Sequence, residues 1–345
     1  MQFAPTDAQE QLRRRVRTLL AEVSPPAEVR RLMEGDLGYD LDVWLRMAAD
    51  HDLHALGRVD QSVVLQEMGR VLLCAPYLAT VTAAPWLPGD LQAAVAGGLC
   101  IATVAVAEAS GRWDAASVEA VAVRSPDGRW RLEGEKSYVV DGCAADVLVV
   151  AARPADGADV ALFLVEAGAP GLDRKGLATV DMTRRQAVVR LSATPARLLE
   201  GSVGRVVDLC AAALAAEQVG GAERALEMAL DHARRRVQFG RPIGSFQAVK
   251  HLCAEMLLEL ELARGAAFHA ATCEEHELPA AAAVAKARCS EAYVRVATDS
   301  LHVHGGLGFT WDHDAHLYFR RARSSWQLFG DPRHHREQLA QHLRL

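Results

Sequence analysis

Two stretches in the last third of the chain have residue types suited to binding a phosphate. The first, RRRVQFGRPIGSFQ from Arg234 to Gln247, combines arginines at a predicted helix end with Phe239 and a turn containing Gly240 and Pro242. An arginine beside a phenylalanine can hold a phosphate while the ring covers a flat ligand. Cations also stabilise a helix C-terminus, so ordinary helix termination explains the same residues. The residues alone leave both interpretations open.

The second stretch, HVHGGLGFTWDHD, is glycine-rich and begins at His302. Gly305, Gly306 and Gly308 would let backbone amides approach a phosphate or pyrophosphate, although glycines also commonly end helices. His302 and His304 are two positions apart on a predicted helix and diverge, and the histidines further along lack a firm third ligand. The sequence therefore predicts an anion site here and no metal site.

Composition favours an enzyme acting on a small molecule. The 345 residues carry a net charge of -6, with 24% charged and 50% hydrophobic residues, so no basic field suggests nucleic acid as a partner. No apolar run is long enough to cross a membrane, and the first residues turn polar at once. Seven cysteines are scattered without a CxxC pair, which argues against a disulfide framework. We expect a cytoplasmic protein.

Hydrophobic periodicity divides the chain into three segments that must position these stretches. Helical spacing dominates the beginning, as in Leu12, Val16 and Leu19, and returns after Gly201. Between them, short β-rich runs such as VEAVAVRS and ADVLVVAARP follow one another closely, without helices between them. The pattern predicts an α+β multidomain protein. Its N-terminal helical domain covers 1–98, its middle antiparallel β domain 99–200, and its C-terminal four-helix bundle 201–345.

RVQFGRPIGSFQAVKH, followed some fifty residues later by HVHGGLGFTWDHDAHLYFRRA, closely resembles the acyl-CoA dehydrogenase family, whose domain order is the same. In that family both motifs reach across a subunit interface to the FAD bound by a neighbour. The resemblance implies that Arg236 and Phe239 lie at the pyrophosphate and flavin of that FAD, with Gln247 as a further contact. It places Gly305 and Gly306 beside the adenosine half, and implies a dimer or tetramer.

The family also binds FAD through its β domain, in a loop reading roughly T-E-P-x-x-G-S-D and a strand reading W-I-T-N. The corresponding segments here contain Glu108 in the loop and Tyr138 in the strand, so both residues are candidate FAD contacts. Tyr138 can stack on a flavin in place of tryptophan. Ala107 and Val140 stand where threonines would bond the isoalloxazine edge, and an ordinary strand role fits these positions equally well.

The resemblance also locates the catalytic base, a carboxylate that removes the α-proton of an acyl-CoA thioester. The usual glutamate position falls on Phe329, and the minority position falls near Cys210 or Ala211. The nearest substitutes are Asp331 in the same loop and Glu217 on the first bundle helix. Asp331 before a proline is equally explained as a helix N-cap, and Glu217 as an interhelical carboxylate.

The missing base and the altered flavin loop are compatible with two kinds of assembly. One is a homotetrameric acyl-CoA dehydrogenase with a displaced base; the other, which we favour, is one subunit of a heteromeric α2β2 enzyme of the steroid-degrading type. Where family members usually have a glycine-rich loop, this chain has only the segment from Arg58 to Gln61. The shortening can open room for a bulky acyl group, or it can mean that this subunit builds no pocket of its own. The implied partners are an acyl-CoA, a second dehydrogenase subunit or a second copy, and an electron-transfer flavoprotein. A flavin oxidase or monooxygenase on the same fold, or a structural subunit, are the alternatives.

Overall fold

A computed structural model describes residues 4–126 and 128–344. Helices occupy the beginning and the end of the chain. Their bounds are α1 Asp7–Val23, α2 Pro26–Glu34, α3 Leu41–Ala49, α4 Arg58–Val71, α5 Tyr77–Ala83, α6 Gly89–Ala96, α7 Val203–Arg235, α8 Gln247–Thr272, α9 Leu278–His304, α10 Ala315–Gln327 and α11 Pro332–His342. Among the described residues, no helix is both long and apolar enough to span a membrane.

Seven strands between the helices form one sheet, and a two-residue pair forms a small hairpin further along. The strands are β1 Ala102–Ala105, β2 Val121–Arg124, β3 Trp130–Val140, β4 Val147–Pro154, β5 Ala161–Glu166, β6 Leu172–Gly176, β7 Gln186–Leu199, β8 Val237–Gln238 and β9 Arg241–Pro242. The order β1-β4-β2-β3-β7-β5 is joined by a β4–β5 pairing. Strands β4, β2, β3, β7 and β5 therefore close a ring.

Alternation along the strands explains the core of this ring. Leu148, Val150 and Ala152 of β4 all lie in one apolar cluster with Phe163 and Val165 of β5. Successive side chains of a strand point to opposite faces, so residues two apart share the interior. The core is therefore built from alternate positions of the β-rich runs in the sequence.

The predicted fold class is confirmed, with helices, a β region and then C-terminal helices. Most strand pairs are antiparallel, as expected, but β1–β4 and β2–β4 are parallel. Periodicity could not reveal this, because it reports which face of a strand is buried and not the direction of its neighbour. In the C-terminal region, α9 packs against α8, α10 and α11.

The described residues form two compact units. The helical unit comprises the described residues of Met1–Arg30, Arg58–Leu73 and Ala211–Leu345, and the sheet unit comprises Arg31–Gly57 and Cys74–Cys210. The three predicted domains, with boundaries near residues 98 and 200, stay a prediction. Within the helical unit, α4 and α7 cross closely: a Cβ on Gly220 would collide with the backbone carbonyl of Gln66.

A buried histidine makes the sheet unit sensitive to acid. His54 is 4% exposed and stacks on Trp44, with ring centroids 4.0 Å apart. Among the described residues neither ring nitrogen has a hydrogen-bond partner. Burial lowers the pKa of His54 from 6.5 to about 4. The folded protein therefore holds this ring neutral at a pH where the unfolded chain protonates it.

We expect His54 to contribute about 3 kcal/mol of pH-dependent stability. The contribution is complete above pH 6.5 and is lost as the pH falls from there to about 4. His54→Phe keeps the stacked ring but cannot protonate, so its unfolding free energy should fall less between about pH 7 and about pH 5. Urea unfolding of both proteins at each pH measures the difference. Parallel pH profiles would contradict the assignment.

Candidate active site

The first motif folds into a short hairpin at the end of α7. The chain leaves the helix through a bond from Arg236 N–H to His232 O at 2.8 Å, and β8 pairs antiparallel with β9. The two residues of the turn, Phe239 and Gly240, both have positive φ, 52° and 76°, as the favoured two-residue hairpin turns require. This geometry carries Phe239 to the tip, where it is 91% exposed.

The hairpin presents its other polar and aromatic groups to the surface as well. Arg236 is exposed, and so is Gln247, the first residue of α8. The Arg241 guanidinium lies 4.1 Å from the ring centroid of Phe246, which meets Phe239 edge-on at 6.2 Å. Cation–π contact of this kind is attractive and fixes the ring. The hairpin therefore offers cations beside exposed aromatic surface.

The second motif ends α9. Gly305 has φ 62° and ψ −144°, a conformation that suits glycine alone, and begins a 3-10 helix over Gly305–Phe309. A Cβ on Gly305 or Gly306 would meet nothing within 4 Å. Phe309 and Trp311 follow and are 67% and 52% exposed. The backbone here is open to close approach by a ligand, as the sequence predicted for an anion site.

The structure brings the two motifs together. A cavity of about 310 Å³ is lined by Arg235 at the end of α7, by His304 at the end of α9, and by Asp312. His304 lies between two other rings, with centroids 4.6 Å from His232 and 4.4 Å from His313. Burial lowers the pKa of all three histidines. Sequence reasoning missed this stack, because His232 lies on α7, far along the chain from the second motif that contains His304 and His313, and no spacing links them.

Two of the three stacked histidines have a ring nitrogen bonded to the backbone. Nδ1 of His304 lies 2.7 Å from the carbonyl of Ser300, and Nδ1 of His313 accepts from the Ala315 N–H. Among the described residues no group of three or more His, Cys, Asp or Glu is placed to hold a metal ion. The three stacked histidines line the cavity at which the two motifs meet.

In the sheet unit, Glu108 is buried and its carboxylate is bonded within the chain. It accepts from Lys136 Nζ at 2.7 Å, from the Ala120 N–H at 2.8 Å and from the Glu119 N–H at 3.0 Å. Burial alone would raise the pKa of Glu108, but these donors lower it overall. The structure thus gives Glu108 a role in fixing its loop, and a contact with FAD stays a prediction.

Tyr138 remains available for stacking. It lies in β3 with φ 58°, between Lys136 and Val139, where the pairing with β7 shifts register. Such a bulge re-aims a side chain, and Tyr138 is 39% exposed although both neighbouring strand residues are buried. A Cβ on Gly111 would lie 3.8 Å from the tyrosine ring. Tyr138 and the loop that contains Gly111 therefore share one surface of the sheet unit.

Phe329 lies in the loop between α10 and α11, at the position where the sequence analysis placed the family's usual glutamate. Phe329 is 1% exposed, with φ 59°. Its carbonyl lies 2.9 Å from His335 Nε2, which donates, and the Gly330 carbonyl accepts from Lys286 Nζ at 2.8 Å. Burial and the nearby Lys286 lower the pKa of His335 to about 3. A fully buried lysine and a neutral histidine therefore hold this loop from inside.

Comparison with known proteins identifies the family. Family models match the acyl-CoA dehydrogenase C-terminal domain over residues 205–344 and the middle domain over residues 103–189. Acyl-CoA dehydrogenase IpdE2 of Mycobacterium tuberculosis is 35% identical over 345 aligned residues, covering 96% of each protein. The chain belongs to the acyl-CoA dehydrogenase family. Members are FAD-dependent oxidoreductases that act on CH–CH bonds.

Two solved structures are similar to this chain over nearly its whole length. A variant of the Tcur3481–Tcur3483 steroid ACAD is 28% identical, with a TM-score of 0.90 and 98% of both chains covered. The ChsE4–ChsE5 complex from Mycobacterium tuberculosis is also 28% identical with a TM-score of 0.90, covering 100% of this chain and 99% of that one.

Of the two substitute bases predicted for this acyl-CoA dehydrogenase, Glu217 is engaged inside the helical unit. Its Oε1 accepts from Arg321 Nη1 at 2.5 Å, and the two side chains are 7% and 4% exposed. The pair joins α7 to α10. The interhelical role that the sequence left open for Glu217 therefore describes its contact, and its use as a base stays a prediction.

Asp331, the other substitute, is the N-cap of α11, where its Oδ1 accepts from the His334 N–H at 2.8 Å and Pro332 occupies the first turn. Asparagine caps helices as well as aspartate does. We therefore expect Asp331→Asn to retain stability, and Asp331→Ala to lower the unfolding free energy by about 1 kcal/mol. Chemical denaturation of the two variants measures this difference.

The same pair of variants tests whether Asp331 is a base of the acyl-CoA dehydrogenase reaction. A capping role predicts that Asp331→Asn retains turnover. A loss of turnover by orders of magnitude with unchanged stability and flavin content would instead identify Asp331 as the base.

Proposed function

We propose that this chain is one subunit of a heteromeric, FAD-dependent acyl-CoA dehydrogenase that oxidises an acyl-CoA thioester to the 2-enoyl-CoA. In this reaction a carboxylate takes the proton from the α-carbon, and the β-hydrogen leaves with its electron pair, so that the Cα–Cβ bond becomes double. The chemistry supplied by bound FAD is acceptance of that hydride. An electron-transfer flavoprotein is the proposed acceptor of the two electrons, and the chain itself contributes binding surface.

One observation carries the proposal: the base position of the family holds a side chain that cannot accept a proton. Phe329 stands there, 1% exposed. Glu217 is paired with Arg321, and Asp331 caps α11. A base needs hydrogen-bond reach to the α-proton in a pocket that raises its proton affinity. We infer that the unlike subunit supplies this carboxylate.

The exposed motif surface supports binding of FAD between subunits. Arg236 and Phe239 present an exposed cation and an exposed ring on the same hairpin, which suits a pyrophosphate joined to a flat heterocycle. Gly305 and Gly306 present open backbone. Phe239, at the tip of the hairpin, is 91% exposed and free to contact a neighbouring chain. The residues present therefore fit FAD reaching in from a neighbouring chain.

The similar proteins support the heteromer and a bulky substrate. The ChsE4–ChsE5 structure is named as a complex of two differently named chains, and the Tcur3481–Tcur3483 structure as a steroid ACAD. We propose that this chain likewise pairs with a second dehydrogenase subunit and that the acyl group is large, of steroid type. A homotetramer with Asp331 as its base is the second candidate, favoured by the position of Asp331 two residues after Phe329.

Expression with and without a dehydrogenase encoded alongside it tests the proposal. The chain alone should bind little flavin, whereas the co-purified complex should be yellow. The complex should reduce a dye acceptor with a steroid-type acyl-CoA. Absorbance of released flavin, divided by the subunit concentration, gives the number of sites. A lone chain that binds one FAD per subunit and turns over would reject the heteromer in favour of the homotetramer.

A further inference from the structure

A second cavity, of about 320 Å³, lies in the helical unit between the C-terminal parts of α1 and α4, the start of α2, and the facing sides of α7 and α10. Its walls are mainly apolar, with Leu20, Val29, Leu72 and Leu317 all buried. A volume near 300 Å³ is at the lower end of small-molecule sites. The cavity is large enough for a ligand of roughly a dozen heavy atoms.

The charged residues that line this cavity leave a cationic excess. Three arginines, Arg17, Arg70 and Arg224, stand against two acids, Glu67 and Asp314, a difference of one positive charge. The Glu67 side chain is 1% exposed and already lies 3.1 Å from a further cation, Arg13. Asp314 is similarly held by Arg30 at 2.7 Å. Both acids are thus also paired with cations outside the cavity, while Arg70 and Arg224 are paired with Glu227, which does not line it.

Two of these arginines are accessible to a ligand. The side chains of Arg17 and Arg224 are 48% and 41% exposed, while that of Arg70 is 12% exposed and bonded to Glu223 and Glu227. Arg17 donates two bonds to Glu67, and a guanidinium has five donor N–H groups. Arg17 therefore keeps donor capacity for an incoming acceptor while its pairing with Glu67 holds it in place.

We propose that this cavity binds an amphipathic monoanion, a medium-chain carboxylate. The apolar chain lies against Leu20, Val29 and Leu317, and the carboxylate meets Arg17 and Arg224 at the mouth. Charge-assisted bonds from guanidinium to carboxylate are the strong ones available in such a setting. The apolar walls contribute through burial of the chain. The proposal does not depend on the proposed dehydrogenase function, although this cavity shares Arg224, Met228 and Asp314 with the cavity lined by Arg235 and His304.

Decanoate and decanol, titrated calorimetrically into the full chain or its complex, test the site. Decanoate should bind saturably with one site per chain and about tenfold more tightly than decanol. Arg17→Gln should weaken decanoate about tenfold and leave decanol unchanged. Arg14→Gln, an exposed arginine on the same helix, is the matched control and should change neither. Met228→Trp fills the cavity and should abolish binding of both ligands.

Three results would overturn the proposal: no saturable binding to the wild type, equal affinity for the two ligands, or unchanged binding by a folded Met228→Trp. Circular dichroism checks that variant. If it does not fold, Val29→Phe fills the cavity from the opposite wall with the same expected loss. Binding that survives both substitutions lies elsewhere, as in an acyl-CoA pocket, and refutes this site.

Discussion

Replacing Glu217 by glutamine is expected to lower the unfolding free energy of the protein by about 3–5 kcal/mol. The substitution keeps the size of the side chain but leaves the Arg321 guanidinium, only 4% exposed, without its opposite charge. A buried charge that has lost its partner pays its desolvation cost uncompensated. Urea or thermal unfolding followed by far-ultraviolet circular dichroism measures the loss.

A control variant distinguishes the loss of a buried ion pair from the loss of an exposed carboxylate. Glu261→Gln removes a carboxylate whose side chain is 54% exposed and lies 3.3 Å from Arg264, and it should change stability by less than about 1 kcal/mol. The double variant Glu217→Gln with Arg321→Met removes both buried charges and should recover much of the loss. A Glu217→Gln protein as stable as the wild type would show that the pair does not join α7 to α10 as described.

Arg236→Ala is expected to weaken FAD binding by about tenfold to a hundredfold in the assembled enzyme. Arg236 is exposed at the end of α7, and the proposed function directs it at the pyrophosphate of a neighbouring FAD. Loss of a charge-assisted contact to phosphate removes both its electrostatic and its hydrogen-bond contribution. Flavin retained after gel filtration, and fluorescence titration of the stripped complex with FAD, measure the effect.

The neighbouring Arg234 provides a matched control for this prediction. Its side chain is 74% exposed and lies 3.9 Å from Asp231 of the same helix, and the family motif gives it no contact with FAD. Arg234→Ala should therefore retain flavin. Equal flavin content in the wild type, Arg234→Ala and Arg236→Ala would remove Arg236 from the FAD site, while a loss shared by both variants would indicate only a general effect of charge.

Local chemistry was sufficient to predict much of the fold. The arginine-rich helix end, the turn at Gly240 and the helix stop at Gly305 are each decided within a few residues, because positive φ and helix termination are local properties. The structure has Gly240 and Gly305 in that conformation. The N-cap that the sequence allowed for Asp331 is local for the same reason.

Long-range partners were beyond the reach of local patterns. Glu217 and Arg321 are 104 residues apart, and Glu108 meets Lys136 across 28. Which charged side chains meet depends on how helices and strands pack. A single carboxylate in a sequence does not show whether it is a catalytic base, a helix cap or one member of a buried ion pair. Glu108 was chosen from its place in the family's loop motif and Glu217 as the carboxylate nearest to a base position, and the tertiary structure supplied their partners.

The family, the order of its helical and β regions and its two motifs follow from the sequence alone, because each depends on contiguous residues. The tertiary structure decided that β1 and β2 run parallel to β4, that His232 of α7 stacks on His304 of the glycine motif, and that an apolar cavity with arginines at its mouth opens in the helical unit. Each of these features is a meeting of segments distant in the chain. Such meetings are set by packing of the whole molecule, which no local pattern encodes.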